Sequence, residues 1–174
     1  MAGTDLTNNT YEILGTQTNN GIEFFAQGNA TKDLGVFGGI TFIDARLNGA
    51  SNPTLNNTVV VGVPEFKSDL VLDYHPGSWN GVALTGAAHY ESRRAAINTN
   101  TMWAPSYATF DAGVRYTTGV GSHVVTTRLQ VQNLTNKYYY SSLFDGGSNV
   151  GSNGSNIAYV APPRTVMATV SLTY

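Results

Sequence analysis

The sequence predicts an all-β chain: an antiparallel transmembrane β-barrel segment of about 7–8 strands, with short turns at one end and long loops at the other. Three observations predict it. In the closing stretch, residues 164–174, Val166, Ala168, Val170, Leu172 and Tyr174 fall on one face, and Thr165, Met167, Thr169, Ser171 and Thr173 on the other. That is the length and period-two pattern of a strand crossing a bilayer within a barrel. The same alternation recurs in six upstream segments, and the connections between segments alternate between short and long. One such strand alone equally fits the edge of a soluble sandwich. The alternating connections favour the barrel, because outer-membrane barrels join their strands by short periplasmic turns and long external loops.

The elements follow in chain order. Residues 1–10 are polar and read as a flexible lead-in, and residues 11–174 as the barrel part. The first strand, clearest over 22–28, sets Ile22, Phe24 and Ala26 against Glu23, Phe25 and Gln27. After a polar break at 29–33, the second strand (35–46) is apolar on both faces. A long Asn/Gly/Ser-rich loop leads to the third strand (65–74), where Phe66, Leu70, Leu72 and Tyr74 oppose Lys67, Asp69 and Asp73. The Pro-Gly and Asn-Gly pairs of residues 75–81 reverse the chain. The fourth strand (82–93) is followed by a loop with Trp103, and the fifth (106–116) by the turn TTGVGS. The sixth (123–133) leads into the longest irregular stretch, 135–163, with Tyr138, Tyr139, Tyr140 and a Gly/Ser/Asn tract at 146–156. Tyr74, Tyr90, Tyr116 and Tyr174 lie at strand ends on the apolar face, where an interfacial girdle belongs. Seven strands are an odd number, whereas bacterial single-chain barrels have even counts and must close. Either one strand is hidden, by a split of the stretch 11–28, or the chain is part of a larger barrel, and the second reading is favoured.

Composition bounds the function. Only 11% of residues are charged and the formal net charge is −2, so the concentrated positive charge that binds nucleic acid is missing. No cysteine is present, which removes thiol nucleophiles, thiolate metal sites and disulfides. No apolar run reaches the length of a transmembrane helix, a test to which barrel strands are blind. The first ten residues lack the basic and apolar regions of a secretory signal. His75, His89 and His123 are scattered without ligand spacing, so no metal or other cofactor is expected. Asp111 and Arg115 share the polar face and read as a lumen ion pair rather than an acid/base pair, so the chain is not expected to be an enzyme.

Six stretches, GTQTNNGIEFFAQG, VFGGITFIDARL, GVPEFKSDLVLDY, PSYATFDAGVRY, LQVQNLTNKY and PRTVMATVSLTY, resemble, in family order, the C-terminal barrel region of TonB-dependent outer-membrane receptors of the ferric-siderophore group. The resemblance covers nearly the whole chain. It implies a place in the bacterial outer membrane, contact with outer-membrane lipid, and a ferric siderophore as the transported ligand of the intact receptor. It also implies a 22-stranded barrel in the intact family, with an N-terminal plug and a TonB-engaging segment, neither of which is recognisable in these residues. Tyr174 stands where the family's terminal aromatic, usually Phe, signals to the barrel-assembly machinery. A small stand-alone outer-membrane barrel with a structural or adhesive role, and a soluble carbohydrate-binding β-sandwich, are the competing readings.

On the receptor reading, Arg93, Arg94, Trp103, Tyr138, Tyr139, Tyr140 and Phe144 in the external loops offer aromatic faces and positive charge to an anionic iron chelate. The alternative keeps Tyr138 and Tyr139 in the outer girdle and Trp103 as a loop anchor. Val166, Ala168, Val170 and Leu172 are expected to touch lipid, and Thr169 and Ser171 to face the lumen.

Overall fold

A computed structural model describes residues 2–5, 10–13, 15–48, 53–144 and 157–174. The Gly/Ser/Asn tract at 146–156 lies outside the described residues. Fourteen strands follow in chain order: β1 (Ala2–Asp5), β2 (Thr10–Ile13), β3 (Thr16–Thr31), β4 (Leu34–Asn48), β5 (Thr58–Val59), β6 (Phe66–Tyr74), β7 (Val82–Glu91), β8 (Arg94–Ala95), β9 (Trp103–Ala104), β10 (Tyr107–Val120), β11 (His123–Gln132), β12 (Tyr140–Phe144), β13 (Ile157–Val160) and β14 (Thr165–Thr173). Seven of these form one antiparallel meander in the order β3-β4-β6-β7-β10-β11-β14, and β5 adds to β4. The expected seven strands are all present. Where a lead-in was expected, β1 pairs with β2 in a short ribbon.

Three turns are tighter or more structured than their composition suggests. Only residues 32–33 separate β3 from β4. Thr117 and Thr118, expected in a turn, extend β10 instead, because these β-branched residues pair with Thr126 and Val125 of β11. The reversal is then a two-residue hairpin closed by Val120 and His123, with Gly121 at φ 63. Between β6 and β7 a 3-10 turn, Gly77–Trp79, ends at Asn80 (φ 48) and Gly81 (φ 90), both left-handed, as the Asn-Gly pair permits. These turns share one end of the sheet. Residues 49–65, 92–106 and 133–164 connect strands at the other, and hold the small ribbons β8-β9 and β12-β13.

The register carries one apolar face across all seven strands without a slip. Phe24 pairs with Ile40, Ile40 with Ser68, Ser68 with Tyr90, and Tyr90 with Ala108. Farther along, Val114 pairs with Leu84 and Leu129, and Leu129 with Ala168. Paired residues of an antiparallel ladder project from the same side, so each sequence-derived apolar set lands on this face. Nothing covers it. Val170 is 70% exposed, Val166 64%, Ile22 61% and Phe24 60%. The buried apolar residues lie largely in the long-loop end, among them Leu47, Leu55, Val59, Ala95, Ala104, Leu143 and Ala161. A sandwich buries the apolar face of its sheet against a second sheet, and this sheet has none among the described residues.

Aromatic rows bound the exposed band. Near the long-loop end, Phe42, Phe66 and Tyr90 stand side by side with centroids 4.8 and 5.8 Å apart. At the short-turn end, Tyr74 meets Trp79 edge-on at 5.3 Å, and Tyr174 lies 6.5 Å from His123. Phe66 and Tyr74 lie eight steps apart in β6, roughly 26 Å along a strand, or about 20 Å along the membrane normal at the usual barrel tilt. That is about 5 Å short of the roughly 25 Å height of an outer-membrane apolar band.

The sheet is open, and both edge strands run toward the short-turn end. Direct closure would therefore pair β3 with β14 in parallel, which an up-and-down barrel does not do. An odd number of further strands is needed between them, and β1 and β2 do not supply a single closing one, since they pair with each other and with neither edge.

With the apolar face toward lipid, Val170→Arg should cost roughly 2–4 kcal/mol near the midplane, while Thr169→Arg, one residue away on the polar face, should be tolerated. The heat-modifiable folded fraction in outer-membrane preparations checks this: it should fall for the first variant and stay at parent level for the second.

Candidate functional site

The face opposite the apolar band is polar and carries most of the charge. Asp69 Oδ1 lies 2.6 Å from His89 Nδ1 and Asp69 Oδ2 3.5 Å from Lys67 Nζ; His89 Nε2 is 3.7 Å from Asp111. Asp111 also accepts the backbone N–H of Asn133 at 2.9 Å. Arg115 faces Arg128 directly across the β10-β11 pair, an unfavourable like-charge placement. It leans the other way, to Asp73 at 3.0 Å, two strands distant. Asp111 and Arg115, expected to pair across strands, have their partners off β10: Asp111 meets His89 of β7 and the Asn133 N–H, and Arg115 meets Asp73 of β6. Among the described residues no His/Cys/Asp/Glu group is arranged to hold a metal.

Toward the long-loop end this face opens into a cavity of about 290 Å³, lined by Asp69, His89, Glu91, Tyr107, Asp111 and Tyr139 among others. Its rim is fixed by an asparagine. Asn133, 5% exposed and at φ 53, accepts the N–H of Lys137 at 2.8 Å and donates to the carbonyls of Lys137 at 2.9 Å and Pro162 at 3.4 Å. The loop so folded lays Tyr139 on Tyr107, with rings 4.0 Å apart and 23° from parallel. Burial first, then Asp111 and Glu91, hold the Tyr139 phenol above its ordinary range, against the opposing pull of Arg94.

The residues singled out in the external loops separate into three groups. Arg93 is exposed and lies over the Trp103 ring at 4.5 Å. Trp103 donates Nε1–H to the Asn100 carbonyl at 2.8 Å, and Asn100 bonds both the N–H and the carbonyl of Val59, tying two external loops together. Trp103 is therefore an anchor whose remaining face carries a cation. Arg94, in contrast, is 3% exposed. It donates to the carbonyls of Tyr140 and, at 3.4 Å, Ser141, pairs with Glu91 at 3.4 Å and lies 5.6 Å from the Tyr107 centroid. Its guanidinium is committed within the protein, and of the two arginines Arg93 alone is exposed.

Tyr138 is 68% exposed and meets Tyr140 edge-on at 5.9 Å. Phe144 stands apart from these, 53% exposed, against Tyr159 of β13 at 6.1 Å. Tyr159, 58% exposed, was missed from the sequence. Its four-residue strand is too short for the alternation to register, and the tract at 146–156 separates it from β12. Tyr107 and Glu91 were likewise missed as site residues, since their positions on polar strand faces read as simple alternation.

Comparison with known proteins follows the same lines. The family described as TonB dependent receptor-like, beta-barrel matches residues 1–134. The chain is similar to the ferrichrome receptor FcuA of Yersinia enterocolitica, 26% identical over 170 residues that make up 98% of this chain and 21% of that protein. Among solved structures it is similar to BauA, the ferric preacinetobactin receptor from Acinetobacter baumannii, with 29% identity and a TM-score of 0.77 over 95% of this chain and 24% of that one. It is also similar to the siderophore receptor PiuA from Acinetobacter baumannii, with 25% identity and a TM-score of 0.76 over 98% of this chain and 24% of that one. The chain thus spans between a fifth and a quarter of the length of these proteins.

The Tyr139 environment has a direct optical consequence. The ultraviolet titration difference between the parent and Tyr139→Phe should show the missing phenol ionising later than the exposed tyrosines. Because the folded state raises this phenol, the packing it contributes is fully present below the ordinary phenol range near 10 and is lost as pH rises through the raised value. Ionisation together with the exposed tyrosines would contradict the burial.

Proposed function

The chain belongs to the family of TonB dependent receptor-like β-barrels, and from that premise we propose that it forms the C-terminal part of the barrel of a ferric-siderophore receptor. Its place is the outer membrane. The observation that carries the reading is the pairing of one continuous, uncovered apolar face with a charged opposite face over seven strands. Lipid is the partner such an apolar face requires, and a wet lumen the environment for the other. The printed names of the ferrichrome, preacinetobactin and siderophore receptors similar to this chain support the ligand class. Transport, not catalysis, is the proposed activity.

The external residues take proposed roles on this reading. Tyr138, Phe144 and Tyr159 present exposed rings, and Arg93 over Trp103 presents an exposed cation. Aromatic faces beside a guanidinium suit the planar, metal-bearing ligands of iron chelates. Tyr139 and Tyr140 act behind them: Tyr139 stacks on Tyr107, and the Tyr140 carbonyl accepts from Arg94. TonB engagement belongs, on the same proposal, to the part of the receptor that these residues do not span. Tyr174, 95% exposed at the short-turn end, is placed in this reading as the terminal signal for the assembly machinery.

Ferrichrome binding to outer membranes bearing the full receptor tests the ligand assignment. Phe144→Ala and Tyr159→Ala should each weaken it by about 3- to 10-fold, the range that aromatic contacts of 0.5–1.5 kcal/mol produce, with unchanged receptor abundance. Parent affinity in both variants, or no binding by the parent, would contradict it.

A further inference from the structure

Arg94 is the most deeply buried cation among the described residues, at 3% exposure, and it lies at the long-loop end, in β8. Four segments meet on it. Its NH1 and NH2 groups donate to consecutive carbonyls, Ser141 and Tyr140, at the base of the β12-β13 ribbon. Glu91, the last residue of β7, lies 3.4 Å from NH1. The Tyr107 ring, at the first residue of β10, lies beside the guanidinium and stacks in turn on Tyr139. Ala95, its neighbour, accepts the N–H of Gly62 at 3.0 Å. The backbone of Gly62 approaches Leu143 of the same ribbon so closely that a Cβ there would strike the Leu143 carbonyl.

We propose that Arg94 is a positioning residue that sets where the external β12-β13 ribbon stands relative to the barrel wall. A guanidinium can fork to two carbonyls while keeping an ion pair, because its donors are planar and fixed in direction. Neither carbonyl belongs to the ladder between the ribbon and the sheet, since β12 and β13 pair only with each other. The ribbon is therefore held to the wall by side-chain and loop contacts, of which the Arg94 fork is the central one. Removing it leaves the half-buried Glu91 without its cation and takes the Arg94 donors from two carbonyls, so the ribbon is free to take several positions while the seven-strand sheet keeps all its ladders. Through Tyr107 and Tyr139 the same residue also fixes one wall of the 290 Å³ cavity on the polar face. That the ribbon displays Phe144 and Tyr159 to a ligand rests on the function proposed above; the positioning role does not.

These 174 residues contain no cysteine, so a spin-label pair at Ala158→Cys on the ribbon and Ser122→Cys on the opposite short turn has no background once any cysteine elsewhere in the receptor is replaced by serine. Distances are measured by pulsed electron–electron resonance on the full-length receptor in outer-membrane preparations, without ligand. The parent should give one narrow distribution, and Arg94→Ala a distribution at least twofold broader, with the heat-modifiable folded fraction unchanged. Arg94→Lys, which keeps the charge beside Glu91 but cannot fork to both carbonyls, should also broaden it. A parent-like narrow distribution in an assembled Arg94→Ala receptor would overturn the proposal. If only Arg94→Lys assembles, its width decides in the same sense, and failure of both to assemble would make Arg94 a determinant of folding and overturn the positioning role. Because no ligand is involved, loss of the receptor assignment would leave this result standing, and the reverse.

Discussion

The rest of the structure depends on one constraint: a sheet with a continuous apolar face and nothing among the described residues to cover it. In water such a face, with Val166, Val170, Ile22 and Phe24 all more than half exposed, would drive association. In a bilayer the same exposure is the stable arrangement, on condition that no backbone group is left unpaired. The long antiparallel ladders meet that condition inside the sheet, and the two edges do not. Their common direction, toward the short turns, means that closure needs an odd number of additional strands. Orientation, connection lengths and strand count are thus linked consequences of the proposal that this face lies in lipid.

Much of the fold was legible in the sequence because a period of two is a local signal that register must obey. Once Val170 was placed on one face and Thr169 on the other, any slip by one residue would have turned a charged face to lipid. The ladder preserves the assignment from Phe24 to Leu172. What stayed hidden was non-local. Asp111 and Arg115 share a face, but which side chain reaches which depends on the shear between strands, and the outcome was Asp111 with Asn133 and Arg115 with Asp73. The turns near 31 and 119 were drawn too wide because Thr and Asn read as breakers by composition, while β-branched Thr117 and Thr118 were held by pairing. The ribbons β8-β9 and β12-β13 are too short to produce a periodic pattern.

The external end follows different physics. There the buried residues are small or medium aliphatics such as Leu47, Leu55, Ala95 and Leu143, and order comes from polar side chains bonding to backbone. Asn100 and Asn133 each adopt a left-handed backbone and bridge segments that no ladder joins. Arg94 does the same with charge. Sequence reading treats an arginine beside external aromatics as a ligand contact, because exposure is the usual state of arginine; the forked carbonyls and Glu91 make this one structural, and leave Arg93 to face outward.

The central claim is that the two faces of the sheet lie in different solvents, and β14 offers the cleanest place to measure it. These 174 residues contain no cysteine, and with any cysteine elsewhere in the receptor replaced by serine, single cysteines introduced in turn from Thr165 to Thr173 can be spin-labelled in outer-membrane preparations of the full receptor and their collision rates with oxygen and with a water-soluble nickel chelate compared. The account predicts a strict period of two: oxygen-dominated collisions at 166, 168, 170 and 172, and chelate-dominated collisions at the odd positions where the lumen admits the reagent. Equal access of the nickel chelate to both parities would place the whole strand in water and contradict the account.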